Sequence, residues 1–334
     1  MRILITGGAG FIGVNTAEYF LKRGDTVYIY DNLSRKGSSI NLNWLVKKYP
    51  KVKRIKGDLS EIKKLEKIVK GKDVIIHLAA QVAVTTSVDN PSDDFKINAL
   101  GTFNILEAMR LHAKNSIFLY SSTNKVYGGL EDLKIIENKI RYEFINLPFG
   151  VSETQSLDFH SPYGCSKGAA DQYVRDYSRI YGLKTVVFRQ SCIYGPHQFG
   201  VEDQGWIAWF IIALLSNKKI TIYGNGKQVR DILYIDDLIR AYDLAIKNID
   251  KTKGQIYNIG GGYKNTLSVW REFRPMLERL FKRKFKVNFS KIRPGDQPIY
   301  ISDIKKAKKD FGWEPIVSVE EGVEKLFLWL KENL

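Results

Sequence analysis

The sequence predicts an α/β fold of the Rossmann type, in which a doubly wound parallel sheet is joined to a smaller mixed α/β substrate-binding domain. Short apolar segments typical of strands alternate with segments typical of helices through the first half of the chain, as in parallel sheets covered on both faces. A glycine-rich loop follows the first predicted strand, and an acidic residue follows the second. Together these observations indicate a dinucleotide-binding domain.

The first strand is predicted over Arg2–Thr6 and the first helix over Val14–Arg23. Between them, Gly7, Gly10 and Gly13 are each separated by two residues. Glycines at this spacing let backbone amides approach a pyrophosphate at the helix N-terminus. The residues expected to contact the cofactor here are Gly7, Gly10, Phe11 and Ile12.

The second predicted strand, Thr26–Tyr30, is followed by Asp31 and Asn32. An acid at this point binds the adenosine ribose hydroxyls and repels a 2′-phosphate, so the sequence favours NAD over NADP. Arg35 is the one residue of this segment that would favour NADP instead. Cofactor contacts are expected at Asp31, Asn32, Ser34 and Arg35.

Four further strands are predicted, over Val52–Ile55, Asp73–His77, Ser116–Tyr120 and Lys184–Arg189. Residues at the carboxyl ends of such strands face the edge at which α/β sheets bind ligands. The cofactor contacts expected from these segments are Asp58, Leu59, Leu78, Ala79, Ala80, Gln81, Ser121 and, on a helix that begins at Pro91, Asn98.

The domain boundaries follow from where the strand and helix alternation weakens. The cofactor domain is predicted over residues 1–188, with 231–260 returning to it, and the substrate domain over 189–334. Residues 129–160 are polar and irregular, which predicts a connecting loop.

Tyr163 and Lys167 are four residues apart at the start of a helix predicted to begin near Pro162, so both side chains project from one face. An ammonium group beside a phenol is expected to lower the phenol pKa from its reference value of about 10. Tyr163 is therefore a candidate general base for a hydroxyl. The alternative is that Tyr163 and Lys167 are two ordinary surface side chains of a helix.

Thr123 ends a strand, where it can donate a hydrogen bond to a reacting oxygen. The expected catalytic residues are Thr123, Tyr163 and Lys167.

The second half of the chain carries two arginines, Arg230 and Arg293, that are far apart in sequence. Guanidinium groups suit a diphosphate because their paired N–H groups match its oxygens, while unrelated surface arginines are the alternative. The expected substrate contacts are Gln81, Thr123, Asn124, Gln204, Gly205, Trp206, Tyr223, Arg230 and Arg293.

Composition narrows the class of protein. The chain has 52 Lys and Arg against 36 Asp and Glu, a net charge of +16, but the basic residues are dispersed. Dispersed charge helps to collect an anionic substrate such as a nucleotide and does not indicate nucleic-acid binding.

Two cysteines, Cys165 and Cys192, give no disulfide framework and favour a cytoplasmic location. The apolar run Trp206–Leu215 is shorter than the roughly 20 residues that span a membrane, and no clustered Cys and His residues indicate a metal site.

These motifs together resemble the extended short-chain dehydrogenase/reductase family of nucleotide-sugar enzymes. The resemblance implies NAD as cofactor, Lys167 on the nicotinamide ribose, and a homodimer formed through the helices after Pro91 and Tyr163. The motifs that carry it are Gly7 to Gly13, Asp31-Asn32-Leu33, Gly57-Asp58, His77 to Ala80, Asn98 to Thr102, Ser121 to Thr123, Tyr163 to Lys167, Arg230-Asp231 and Arg293 to Asp296.

Within the family the chain is most similar to 2-epimerases of CDP-hexoses, in segments 31–37, 121–128, 157–173 and 225–231. Thr123-Asn124-Lys125 stands where the 4,6-dehydratases carry Thr-Asp-Glu. Because elimination of water needs that acid/base pair, dehydratase chemistry is not expected. Cys192 stands where many relatives have an asparagine that touches the substrate diphosphate, so that contact is not carried over.

The resemblance therefore implies epimerisation at C2 of a CDP-hexose through a transient 2-keto sugar, with NAD regenerated in each turnover. Epimerisation at C4 of UDP-glucose by the same residues stays open, because the pose of the sugar decides which carbon reacts. A non-catalytic NAD-binding regulatory protein is the alternative from another class, and the set of Thr123, Tyr163 and Lys167 argues against it.

Overall fold

The computed structural model describes residues 1–293 and 296–334. Pro294 and Gly295, in the middle of the motif predicted between Arg293 and Asp296, lie outside the described residues. The strands are β1 (Arg2–Thr6), β2 (Thr26–Asp31), β3 (Lys53–Lys56), β4 (Val74–His77), β5 (Ile117–Thr123), β6 (Ile135–Glu137), β7 (Tyr142–Phe144), β8 (Lys184–Gln190), β9 (Cys192–Tyr194), β10 (Thr221–Tyr223), β11 (Val229–Tyr234), β12 (Gln255–Ile259), β13 (Thr266–Ser268), β14 (Asn288–Ser290) and β15 (Ile299–Tyr300).

The helices flank these strands on both sides. They are α1 (Phe11–Lys22), α2 (Ser38–Lys48), α3 (Ile62–Val69), α4 (Val84–Asp89), α5 (Pro91–Phe95), α6 (Gly101–His112), α7 (Ser161–Tyr181), α8 (Trp206–Leu215), α9 (Ile235–Lys247), α10 (Ile249–Thr252), α11 (Phe273–Phe281), α12 (Lys305–Phe311) and α13 (Val319–Asn333), with a π-helical turn at Lys96–Leu100 and a 3-10 turn at Asn124–Tyr127.

The main sheet is parallel throughout, and its strand order is β12-β8-β5-β4-β1-β2-β3. Successive side chains of a strand point to opposite faces, and β1 shows the consequence. Ile3 and Ile5 pack into one core with Phe20 of α1, while Leu4 packs into the other core with Leu106 of α6. The predicted doubly wound sheet with helices on both faces is confirmed.

The last strand of the main sheet comes from late in the chain. β12 pairs with β8, so that Ile259 lies opposite Gln190. β11 belongs instead to a second sheet, where it pairs with β9, β13 and β15. Within residues 231–260, the residues of β11 therefore lie in the second sheet, and β12 lies in the main sheet.

The segment 129–160 differs from the connecting loop that the sequence predicts. It contains an antiparallel hairpin in which β6 pairs with β7. Distant side chains hold this hairpin, because Lys227 Nζ lies 2.7 Å from Glu137 Oε1 and Arg141 Nη2 donates to Thr266 Oγ1 at 2.7 Å. Each strand has three residues, too few to give a local pattern, so tertiary contacts decide this element.

The helix expected from Pro91 is divided into three parts. α5 is followed by the π-helical turn Lys96–Leu100, and α6 continues from Gly101. Asn98 lies in the π-helical turn and is buried. The apolar segment Trp206–Leu215 forms the largely buried helix α8, as predicted. Over the described residues, every helix is too short or too polar to cross a membrane.

Candidate functional site

A single cavity of about 910 Å³ lies at the carboxyl edge of β1, β2, β4 and β5 and extends between the main sheet and the later part of the chain. Its volume is at the upper end of the range of ligand sites, roughly 300–1,000 Å³. Every residue predicted to bind cofactor or substrate lines this cavity except Gln81 and Asn98. The cavity brings together side chains from both halves of the chain.

The glycine loop is shaped by close contacts behind the cavity. Gly7 has φ +67°, and a Cβ there would lie 2.6 Å from the backbone nitrogen of Ala79. A Cβ on Gly13 would lie 2.4 Å from the oxygen of Gly7, whereas one on Gly10 would meet only that oxygen, at 3.2 Å. Gly10 therefore leaves open space at the start of α1. The first amides of a helix have no intrahelical acceptor, so this cradle fits a pyrophosphate.

Asp31 joins the glycine loop to the end of β2. Its carboxylate accepts hydrogen bonds from the backbone N–H groups of Ala9, at 3.0 Å, and Leu33, at 2.8 Å. Burial nevertheless raises the pKa of Asp31, and these two bonds oppose the rise. A fixed carboxylate at this edge fits the vicinal hydroxyls of an adenosine ribose.

Arg35 lines the same cavity as Asp31 and Tyr163. Burial lowers the pKa of Arg35, and the Tyr163 phenol raises it.

Asn32 and Asp58 form the wall after β2 and β3. Asn32 Nδ2 donates to Asp58 Oδ2 at 2.8 Å, and the hydroxyl and backbone N–H of Ser60 both donate to Asp58 Oδ1. Burial raises the pKa of Asp58, but these hydrogen bonds outweigh it, and the pKa lies below its usual value. Asp58 is thus an ionised acceptor on this wall.

Gln81 and Asn98 lie behind the cavity wall. Asn98 is 1% exposed, and its side chain bonds the backbone N–H of Gln81 at 2.9 Å and the backbone oxygen of Gln81 at 3.1 Å. Asn98 Nδ2 is also 3.2 Å from Ser166 Oγ on α7. The structure therefore gives Asn98 a supporting position, in which it fixes the loop after β4 against α7.

Thr123, Tyr163 and Lys167 meet in the middle of the cavity. Thr123 ends β5, and α7 begins at Ser161, so that Tyr163 and Lys167 lie one turn apart near the start of that helix. The Thr123 hydroxyl lowers the pKa of the Tyr163 phenol as a hydrogen-bond partner, and it lies 3.4 Å from Asn124 Oδ1. Lys167 Nζ donates to the backbone oxygen of Ser121 at 2.6 Å and lies 4.4 Å from the centre of the Tyr120 ring.

The expectation that Lys167 lowers the phenol pKa is wrong for the protein alone. Burial raises the pKa of Tyr163 to about 12, against the hydrogen bond from Thr123 and the charge of Arg35, which lower it. Burial also lowers the pKa of Lys167 to about 7, opposed by Asp171 and Asp94. Both shifts have one cause, since a site away from water disfavours the charged form of each group.

The substrate end of the cavity carries the two predicted arginines. Arg230 Nη2 lies 2.5 Å from Asp296 Oδ1, and its side chain is buried. The Arg293 guanidinium lies 3.7 Å from the centre of the Tyr223 ring and pairs with Asp203 at 3.1 Å. Both arginines line one cavity, and each is paired with a carboxylate there.

Gln204, Gly205 and Trp206 lie on the same side, where α8 begins. Gly205 has φ +75°, and a Cβ there would approach Gln198 Nε2 to 2.8 Å. Cys192 and Trp206 both line this part of the cavity. Burial raises the pKa of the Cys192 thiol, and the buried Trp206 Nε1 has no hydrogen-bond partner among the described residues.

Two sets of residues at this site were not among the predicted site residues. Lys125 lines the cavity with Thr123 and Asn124; the sequence analysis used it only as an argument against dehydration, and its place two residues after Thr123 is the signal that could have indicated it. Behind the cavity, the buried pair of Asp171 and Arg189 joins at 2.9 Å, and Ser122 Oγ donates to Asp171 at 2.7 Å. No local signal relates these residues. Among the described residues no group of His, Cys, Asp and Glu could hold a metal ion.

Comparison with known proteins agrees with this architecture. A family model described as GDP-mannose 4,6 dehydratase matches residues 4–326. The chain is 46% identical to the CDP-paratose 2-epimerase of Salmonella typhi, with 98% of this chain and 99% of that protein covered.

Two solved structures are similar over the whole chain. The UDP-glucose 4-epimerase of Thermotoga maritima, solved with UDP-glucose, has a TM-score of 0.85 and 32% identity, covering 100% of this chain and 99% of that one. The UDP-glucuronic acid 4-epimerase of Bacillus cereus, solved with UDP-glucuronic acid and NAD, has a TM-score of 0.86 and 29% identity, covering 100% of both chains.

Proposed function

Because the chain belongs to the family described as GDP-mannose 4,6 dehydratase, within the extended short-chain dehydrogenases/reductases, we propose that it is an NAD-dependent nucleotide-sugar epimerase. The reaction we propose is inversion at C2 of a CDP-hexose, either CDP-paratose with CDP-tyvelose or CDP-glucose with CDP-mannose. The observation that carries this proposal is the meeting of Thr123, Tyr163 and Lys167 in one cavity with Arg230 and Arg293.

The cofactor part of the proposal is supported by the residues of the glycine loop. Gly7, Gly10 and the first turn of α1 would hold the pyrophosphate, and Asp31 would bind the adenosine ribose. Asn32 and Asp58 form the adjoining wall, and Lys167 would hold the nicotinamide ribose. When bound, NAD supplies a reversible acceptor for the hydride of the reacting carbon. The Tyr163 phenolate would be favoured by the positive charge of a bound nicotinamide.

The protein's own residues then have separate roles. The Tyr163 phenolate takes the proton of the 2-hydroxyl, while Thr123 orients that oxygen through its hydroxyl. The 2-keto sugar turns its other face toward the catalytic residues, and Tyr163 returns the proton. Arg230 and Arg293 hold the diphosphate during this change, exchanging carboxylate partners for phosphate oxygens. Burial of Tyr163 and Lys167 keeps water from the keto intermediate.

The residues after Thr123 favour epimerisation over dehydration. Asn124 and Lys125 occupy the positions at which a dehydratase needs an acid/base pair to eliminate water. An amide and an ammonium group cannot perform that step. The cavity therefore has the residues proposed for oxidation and reduction of the sugar but not the acid/base pair that eliminates water. The name of the matched family therefore does not describe the activity we propose.

Inversion at C4 of UDP-glucose is the second candidate. The similarity of the whole chain to the 4-epimerase of Thermotoga maritima favours it, since the same three residues would serve either carbon. The identity of 46% to a C2 epimerase over nearly the full length favours C2.

NMR of the products separates these candidates. The purified protein, without added cofactor, is mixed in separate tubes with CDP-glucose, CDP-paratose and UDP-glucose. We expect inversion at C2 of a CDP sugar, with NAD carried by the protein through purification. Inversion at C4 of UDP-glucose would replace the first proposal by the second. Absence of turnover in every tube, also after addition of NAD, would contradict both and favour a non-catalytic NAD-binding regulatory protein.

A further inference from the structure

Lys125 lines the cavity together with Thr123, Tyr163 and Arg230. It lies two residues after Thr123, in the 3-10 turn that follows β5. Arg230 belongs to β11 in the second sheet, where it lies opposite Leu267 and Tyr300. The cavity therefore brings Lys125 from the main sheet and Arg230 from the second sheet to one ligand site.

The electrostatics of Lys125 agree with this placement. Burial, and to a smaller extent Arg230, lower its pKa to about 8 against the opposing effects of Asp296 and Cys192. Lys125 therefore lies within electrostatic range of the Arg230–Asp296 pair. All four side chains line the same cavity as Tyr163.

The backbone that carries Lys125 is held firmly. Its N–H donates to Thr123 Oγ1 at 3.2 Å, so the hydroxyl that lowers the pKa of Tyr163 also fixes the backbone position of Lys125. The next residues of this 3-10 turn are buried, and Tyr127 OH donates to Asn258 Oδ1 at 2.7 Å. A Cβ on Gly128, which ends the turn with φ +67°, would lie 2.1 Å from the Asp158 oxygen. The backbone at Lys125 therefore has a fixed position beside Thr123.

This arrangement bears on which sugar carbon reacts. In a nucleotide sugar the distal phosphate is attached through oxygen to C1, C2 is bonded to C1, and C4 lies across the ring. A cation next to both Arg230 and Thr123 can bind a phosphate oxygen while the neighbouring carbon lies at the catalytic residues. A pose for C4 chemistry places the far side of the ring at Thr123, so the phosphate lies farther from Thr123 by the width of the sugar ring and a contact with Lys125 favours C2 over C4.

We propose that Lys125 is the specificity-determining residue of this site: with Arg230 it binds the phosphate attached to C1 and thereby holds C2, rather than C4, at Thr123 and Tyr163. This inference rests on the proposed nucleotide-sugar function and deepens it. It assigns Lys125 a positioning role for the substrate, separate from the proton transfer of Tyr163.

Binding measurements test the contact without relying on turnover. The dissociation constants of CMP, CDP and CDP-glucose are measured by calorimetry at pH 7 for the wild type, Lys125→Met and Lys125→Arg, with Lys114→Met as a matched control. Lys114 is exposed in the turn before β5, at the opposite edge of the sheet. A hydrogen bond to a charged group is lost in Lys125→Met, so we expect CDP and CDP-glucose to bind about 10- to 100-fold more weakly. CMP, which lacks the distal phosphate, should bind as before, and Lys125→Arg should restore most of the affinity.

The pH dependence of CDP-glucose binding gives a second readout. It compares the wild type, which carries a lysine ammonium at position 125, with Lys125→Arg, which carries a guanidinium there. Groups facing Lys125 are Arg230 on β11, Cys192 on β9 and Asp296. Arginine stays charged at all the pH values used. As pH rises through about 8, the affinity of the wild type for CDP-glucose should fall, and that of Lys125→Arg should fall less. This comparison holds even if Lys125→Met fails to fold.

The regiochemistry of turnover completes the test. NMR of products from CDP-glucose should show a lower ratio of C2 to C4 inversion in Lys125→Met than in the wild type. Equal affinities for CDP in all variants, or an equal loss for CMP and CDP, would overturn the proposal. A wild type that binds CDP-glucose through Lys125 but inverts no carbon would instead overturn the proposed epimerase function and leave the Lys125 contact standing.

Discussion

Tyr163 is the residue on which the proposed chemistry depends. Its phenol is buried beside Thr123, and its pKa is raised to about 12, so the protein alone holds it protonated near neutral pH. We expect Tyr163→Phe to lower kcat by about 100- to 10,000-fold, the range attributed to a positioned general base. Epimerisation measured by NMR, with bound NAD measured by absorbance after denaturation, checks this.

A matched control for that change is Tyr263→Phe, which alters an exposed tyrosine on a loop between β12 and β13. It should keep the activity of the wild type. If Tyr163→Phe keeps its NAD content and also epimerises at the wild-type rate, Tyr163 is not the base.

Thr123 sets the pH at which Tyr163 works. Its hydrogen bond lowers the phenol pKa, so removal of the hydroxyl raises that pKa and reduces the phenolate fraction at any pH below it. For Thr123→Val we expect the rising limb of the profile of kcat against pH to move to higher pH. The rate at pH 7 should fall about 10- to 100-fold, as for a lost hydrogen bond to a charged group. Thr123→Ser keeps the hydroxyl and should retain the wild-type pH profile of kcat. If Thr123→Val instead lowers kcat by the same factor at every pH, without a shift along the pH axis, Thr123 has no influence on the pKa of the Tyr163 phenol.

At the scale of elements, α1 shows how a loop and a helix are fitted together. Gly13 lies inside this helix, where alanine would ordinarily be favoured by about 1 kcal/mol. Here its Cβ would lie 2.4 Å from the Gly7 oxygen and 2.6 Å from Gly8 Cα. We expect Gly13→Ala to lower the free energy of unfolding by about 1–3 kcal/mol, as overpacking does, and to weaken NAD binding because the loop must shift.

Thermal unfolding followed by circular dichroism, and titration with NAD, measure both effects. The matched control is Gly164→Ala in α7, where the nearest atoms to a new Cβ lie at 3.4 Å or more. That variant should keep or slightly raise the melting temperature. Equal melting temperatures for the two variants would show that α1 has room for a side chain at residue 13.

At the scale of the whole molecule, α6 and α7 leave apolar side chains on one surface. Phe103 and Tyr173 contact each other edge to face at 5.9 Å and are 36% and 49% exposed. Nearby side chains of the same two helices, which are also exposed, are Leu111, Ile180 and Tyr181. A surface of this kind is typical of interfaces between subunits.

We therefore expect the protein to form a homodimer through α6 and α7, as the family resemblance implies. Light scattering after gel filtration should give twice the chain mass of 38.3 kDa. The double change Phe103→Arg with Tyr173→Arg should give a monomer because it places like charges opposite each other across a two-fold axis. Ile316→Arg, which charges an exposed side chain elsewhere, should remain dimeric. A wild type that elutes as a monomer at micromolar concentration contradicts this expectation.

The sequence by itself determined the features whose causes are local. The strand β1, the glycine loop and the helix with Tyr163 and Lys167 were predicted because hydrophobic periodicity, glycine spacing and a proline at a helix start lie within a few residues of each other. The family followed from motifs spread over the whole chain, and the comparisons confirm it. The placement of the predicted site residues in one cavity agrees with that prediction, although their individual roles remain predictions.

Only the tertiary structure decided what depends on burial and on distant partners. Spacing indicated that Lys167 would acidify Tyr163, but burial of both groups dominates, and burial cannot be read from a helix alone. The pairing of β12 with β8 and the hairpin of β6 with β7 likewise depend on contacts made far along the chain. The same holds for Lys125 and Arg230, which are 105 positions apart in sequence and line one cavity because the second sheet, which holds Arg230, packs near the end of β5.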